Sequence, residues 1–213
     1  MSPDLLEWVL ERVQESSLSR TFVLQHQLER AKDPFEVEAA VSQLILRNLI
    51  RSVPVKALGS KATVLVSIEF LRSLCSESLF QVFVETLIVK YPSRSFFSVE
   101  QIEDLRKLVE PEMDKNKVVQ KLCSFGFLVG AGVDGFMLSI PGMGMFVKKV
   151  IDARKQLLTS LKRMPFNRST LVILKEKKLK KVDVVGLDYI LDDMLGSHQL
   201  VQFNQDCIQI SRD

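Results

Sequence analysis

The sequence predicts an α+β chain, mainly α, in which three tandem winged-helix units pack into one compact chain. Three observations predict it. Helical apolar periods give way to strand-like pairs at three places, at 50–66, 127–140 and 200–210. Each such place follows a run of helical segments, and each carries turn residues where a hairpin would reverse. The segments joining helix to hairpin also resemble one another. They read Leu44-Ile45-Leu46-Arg47-Asn48-Leu49-Ile50, Leu122-Cys123-Ser124-Phe125-Gly126-Phe127-Leu128 and Leu195-Gly196-Ser197-His198-Gln199-Leu200-Val201. Each places a leucine four residues before a turn residue and two apolar residues after it, the signature of internal repetition.

The first unit, 1–76, opens on Leu5, Leu6, Val9, Leu10 and Val13, a helical period that Asp4 caps. A short helix fits 22–31. Asp33-Pro34 then supplies a cap and a first helical residue for Val37, Ala40, Val41, Leu44 and Ile45. Ser52-Val53-Pro54-Val55-Lys56 and Lys61-Ala62-Thr63-Val64-Leu65-Val66 form a hairpin about Leu58-Gly59-Ser60. The second unit, 77–140, repeats the order: a helix over 79–91, a short strand at Ser95-Phe96-Phe97, a helix over 99–109, and a third helix after Pro111 that Gly126 ends. Phe127-Leu128-Val129 and Phe136-Met137-Leu138-Ser139-Ile140 are its hairpin. The third unit, 141–213, is less regular. A long helix over 143–164 stops at Pro165, a helix fits 167–177, Val182-Asp183-Val184-Val185 reads as a strand, and a helix over 187–195 precedes a hairpin at 200–210. That strand departs from the order of the first two units.

Composition excludes several classes. Hydrophobic residues make up 46% and charged residues 26%, enough for a real core. No run approaches the roughly 18–20 apolar residues of a membrane helix, so no membrane partner is expected. The opening Met1-Ser2-Pro3-Asp4 lacks the basic flank of a secretory signal. Cys75, Cys123 and Cys207 are odd in number and far apart, which argues against a disulfide framework or zinc site and for small apolar residues in a reducing compartment. His26 and His198 are too few for a histidine-rich metal site. No cofactor is expected.

Gly130-Ala131-Gly132-Val133-Asp134-Gly135 matches the GxGxxG pattern. A dinucleotide site needs a strand before it and a helix after it, whereas a strand follows here. A protein-kinase glycine loop does sit between strands, but the lysine, catalytic-loop and metal-site motifs of a kinase are absent. Asp134-Gly135-Phe136 has the wrong order. The glycines suit a hairpin tip, and no enzyme is expected.

The net charge of +3 conceals a division of sign. Over 141–181, twelve basic residues face two acidic ones, a net of +10, and the rest of the chain carries −7. A solvated face usually mixes signs, so the segregation points to a polyanion as partner. The candidate nucleic-acid contacts are Lys148, Lys149, Arg154, Lys155, Lys162, Arg163, Arg168, Lys175, Lys177 and Lys178. On the long helix, Val147, Val150, Ile151, Leu157, Leu158 and Leu161 form the expected core arc. Lys148, Lys155 and Lys162 would then follow one edge, about 10 Å apart by helical rise. Lys149 and Arg163 would face the opposite side. Arg154 falls inside the arc, where a buried ion pair and a phosphate contact are both open. The usual recognition helices are acidic, with Glu36 and Glu38 in the first unit and Asp188, Asp192 and Asp193 in the third; the second mixes Lys115, Lys117 and Lys121 with Glu112 and Asp114. Binding should track the backbone without reading bases. A protein-interaction scaffold with an incidental basic face is the rival reading.

Pro141-Gly142-Met143-Gly144-Met145-Phe146-Val147-Lys148, continuing through Arg154, Leu158 and Lys162-Arg163, resembles the family named serine/threonine-protein kinase nineteen. Val23-Leu24-Gln25-His26-Gln27-Leu28 and Gly186-Leu187-Asp188-Tyr189 to Leu195-Gly196 are similar to it as well. The resemblance implies tandem winged helices that bind DNA; the partner expected for the basic stretch is double-stranded DNA, with RNA a second candidate. It also implies a nuclear role in transcription-coupled nucleotide excision repair, beside repair proteins. Longer members carry a basic N-terminal extension absent here. The run 175–181 either replaces that import signal or is a solvated basic loop.

Overall fold

The computed structural model describes residues 3–109, 114–132, 135–204 and 206–211. It is mixed α+β and mainly helical, and among the described residues one order of elements occurs three times. The first run is α1 (Pro3–Ser19), β1 (Val23–Leu24), α2 (Gln25–Ala31), α3 (Pro34–Leu46), β2 (Ile50–Pro54) and β3 (Thr63–Ser67). After α4 (Ile68–Ser73) come α5 (Ser78–Phe83), β4 (Phe96–Ser98), α6 (Val99–Val109), α7 (Lys115–Phe125), β5 (Leu128–Gly130) and β6 (Gly135–Leu138). The third is α8 (Met143–Lys162), β7 (Arg168–Thr170), α9 (Leu171–Glu176), α10 (Lys180–Asp183), α11 (Leu187–Gly196), β8 (Leu200–Asn204) and β9 (Cys207–Ile210). Each run forms one antiparallel sheet with its last strand in the middle, in the orders β1-β3-β2, β4-β6-β5 and β7-β9-β8.

The repeat extends to backbone hydrogen bonds. At the end of α3, Leu49 N donates to Leu44 O and Asn48 N to Ile45 O. Phe127 with Leu122 and Gly126 with Cys123 repeat this pair after α7; Gln199 with Met194 and His198 with Leu195 repeat it after α11. This is a left-handed helix stop that satisfies the terminal carbonyls. Its pivots are Asn48 at φ 55°, Gly126 at 101° and His198 at 59°. The third junction is therefore one residue earlier than its leucine suggests: Met194 is the position four before the pivot, and Gln199 replaces the first apolar residue.

Several expected elements differ. The helix expected over 22–31 begins with strand β1; Gln27 Oε1 accepts from Leu24 N at 2.8 Å and so starts α2. The helix expected over 79–91 passes from α5 into a π-helical stretch, Val84–Val89. The helix expected over 167–177 is instead β7 followed by α9. The strand expected at Val182-Asp183-Val184-Val185 is instead the end of α10 followed by a turn at Val184-Val185, because the place beside β9 is already filled by β7. The third run thus keeps the order of the first two, with the short helix α10 added between α9 and α11. Pro111 and Glu112, at the expected start of α7, and Val133 and Asp134 of the glycine motif lie outside the described residues. Gly130 and Gly135 stand on neighbouring strands, where Ala131 N donates to Gly135 O at 3.0 Å. The three cysteines are free and half-buried. Among the described residues no helix is long and apolar enough to cross a membrane.

One buried cluster runs from Phe22 and Val64 through Phe83 and Phe127 to Leu157, Met194 and Ile208, so side chains of all three runs share it. A smaller one joins Val9 and Val13 to Val37, Leu44 and Leu65. Gly196 lets α11 approach α2. A β-carbon there would lie 2.6 Å from the His26 carbonyl oxygen. Gly196→Ala is expected to lower stability by about 1–3 kcal/mol, measured by urea unfolding. Arg51, on β2, is fully buried; its Nη1 donates to Tyr91 O at 2.7 Å, while among the described residues Nε and Nη2 have no partner. Burial pulls its guanidinium down to about 10. Arg51→Met should therefore raise stability, by about 1 kcal/mol, because it removes a desolvated charge at the loss of one hydrogen bond.

Candidate nucleic-acid interface

Helix α8 is capped by Gly142, whose φ of 88° suits glycine, and buries Met143, Phe146, Val150, Ala153, Arg154, Leu157 and Leu161. Phe146 fixes its rotation, meeting the Phe22 ring at 5.4 Å and the Tyr189 ring at 6.3 Å, both edge-on. The core arc is therefore rotated from the expected one: Ile151 is exposed, and Val147 and Leu158 are half-buried. Lys148, Lys155 and Lys162 consequently stand on the solvent face rather than along an edge of the core arc, Lys148 most nearly opposite the core. Lys149 and Arg163 are exposed on the flank of that face.

Arg154 is inside. Its Nε donates to Asp193 Oδ2 at 2.6 Å, Nη2 to Asp193 Oδ1 at 2.5 Å, and Nη1 to Leu58 O at 2.6 Å. His26 Nε2 lies 2.9 Å from Asp193 Oδ1. Burial pushes the Asp193 carboxyl up, but the hydrogen bonds from His26 and Arg154 outweigh it and hold it below the usual range. Arg154 therefore ties α8 to α11 and to the first hairpin, and it presents no donor to an outside phosphate.

Beyond α8 the chain returns and lays α10 across the helix. Gln156 Oε1 accepts from Lys181 N at 2.8 Å and Val182 N at 3.3 Å, while Leu179 and Val182 are buried. Lys177 Nζ donates to Ser160 Oγ at 3.4 Å, and Lys181 Nζ is 3.2 Å from Asp152 Oδ2. Between these walls lies a groove of about 550 Å³. Five cations line it: Lys155 and Arg163 from α8, and Lys177, Lys178 and Lys181 from the returning segment. Asp152 is the carboxylate among them, and Gln156, Thr159 and Ser160 add hydrogen-bonding groups. The Lys181–Asp152 pair is exposed, so it contributes little and leaves the groove strongly positive. Such a concentration of like charge is complementary to a phosphate chain.

The remaining predicted residues disperse. Lys148, Lys149 and Lys162 are exposed on α8 outside the groove lining. Lys175 borders a separate depression of about 190 Å³ beside Asp183 and Asp188. Arg168 is half-buried, stacked against Phe166 and Phe203. Lys181 lines the groove although it was not among the expected contacts, and neither Phe166 nor Phe203 was among them.

The acidic helices are otherwise occupied. In α11, Asp192 pairs with Arg30 and Asp193 with Arg154, so this helix faces α2 and α8. In α3, Val37, Ala40, Val41 and Leu44 are buried against the first unit's core. Compared with known proteins, the chain matches no family model and no curated protein.

Proposed function

We propose that the chain is a non-enzymatic protein of three tandem winged-helix units that holds double-stranded DNA by its phosphate backbone. The observation that carries this reading is the groove between α8 and α10, where five cations surround one carboxylate. The thrice-repeated order of helix, strand, further helices and hairpin supports the winged-helix assignment. An A-form RNA duplex offers the same phosphates, and comparative affinities decide between the two. Work in transcription-coupled repair, in the nucleus and beside repair proteins, is supported by the likeness of segments 141–148 and 186–196 to the kinase-nineteen family.

Backbone contact requires binding that tolerates sequence and falls steeply with salt. Titrating labelled duplexes of unrelated sequence by fluorescence anisotropy tests this. Equal affinities that weaken together as salt rises are expected. A strong preference for one sequence would overturn backbone tracking.

A further inference from the structure

The groove does not use the two most exposed aromatic rings of the third run. Phe166 is 72% exposed and Phe203 is 64% exposed. Arg168 stands between them, its guanidinium carbon 4.8 Å from the Phe166 ring centroid and 5.5 Å from that of Phe203. Phe166 holds φ at 58°, a left-handed conformation that bulky residues rarely adopt. Asn167 N closes the turn around it by donating to Met164 O at 3.1 Å. A strained backbone that leaves an aromatic ring in water opposes what core packing selects.

We infer that Phe166, Arg168 and Phe203 form a stacking platform for unpaired nucleobases, a reading that rests on the nucleic-acid function above. The platform adjoins the phosphate groove. Arg163 lines the groove and precedes Phe166 by three residues, which limits their backbone separation to about 10 Å. A strand held there by its phosphates has its bases within reach of the rings. A closed duplex keeps its bases stacked on one another and offers the rings nothing. A single strand exposes π-faces, and each base stacked on an aromatic ring strengthens binding by roughly tenfold. Arg168 adds a cation beside the stack. Charge decides between occupants: an apolar protein partner has no use for an arginine between the rings, or for the cations leading to them.

The test compares a labelled oligothymidylate with a blunt duplex of matching length, using the full chain. Wild-type protein should bind both. The double variant Phe166→Ala, Phe203→Ala should lose roughly tenfold or more on the single strand and stay within about twofold on the duplex. The variant Phe166→Tyr, Phe203→Tyr, which keeps the rings, should retain single-strand affinity. Unchanged single-strand affinity in the alanine variant, or equal losses on both ligands, overturns the platform while the groove reading stands. A wild-type protein that binds neither ligand overturns both. A dimer that the alanine variant converts to monomer in sedimentation would assign this face to a second copy of the chain and also overturn the platform.

Discussion

Reversing Lys155, Arg163 and Lys177 to glutamate is expected to abolish duplex binding, with a loss on the order of a thousandfold. Each side chain lines the groove between α8 and α10, and under the proposed function each removed cation would delete one charge-assisted phosphate contact. The new carboxylates then repel the phosphates that remain. Folding should survive. Lys155 and Arg163 are exposed, and among the described residues the Lys177 side chain makes only a long bond to Ser160. Relieving repulsion among five crowded cations offsets what little packing is lost. The comparison variant reverses Lys148 and Lys149, which lie on α8 outside the groove lining, and it should cost far less affinity. A groove variant that binds like wild type in anisotropy would remove the groove from the mechanism. Equal losses in the two variants would replace it with a diffuse basic face.

The largest effect on stability is expected at Asp193. Asp193→Asn leaves Arg154 buried beside a neutral amide that cannot accept its two parallel hydrogen bonds as a carboxylate does. Breaking a buried pair from one side costs about 3–5 kcal/mol, which urea unfolding would register directly. Replacing the pair together, as Arg154→Met with Asp193→Leu, should recover most of that loss, since no charge is then stranded. The pH dependence has a definite sign. Because the folded Asp193 carboxyl lies below its ordinary value, its contribution is fully present above the unfolded aspartate value, near 4. It fades as pH falls through the lower folded value. The gap between wild type and Asp193→Asn should therefore be constant at neutral pH and close only in acid. A gap that stays open in acid would show that the ion pair is not its source.

The basic helix and the acidic character of its neighbours could be read from residue order alone, because charge segregation and a long apolar period are local properties. The rotation of α8 could not. Ile151 and Leu158 look as apolar as Leu157, and only the contacts of Phe146 with Phe22 and Tyr189 select which arc is buried. Val182, Val184 and Val185 favour a strand locally, yet Val184 is 63% exposed and the sheet position is taken by Arg168–Thr170. That misreading hid the groove, since the returning segment forms its second wall only when Lys180–Asp183 is a helix set against Gln156. Arg154 was legible as a residue inside an apolar arc. Its partner, 39 residues further along the chain, was not.

Salt dependence tests the central claim most directly. If the five groove cations each displace a counterion, the logarithm of duplex affinity should fall linearly with the logarithm of salt concentration, at a slope of about −4 to −5. Reversing Lys155, Arg163 and Lys177 should eliminate binding across the same range. A slope near zero, or no duplex binding even at low salt, would contradict the account.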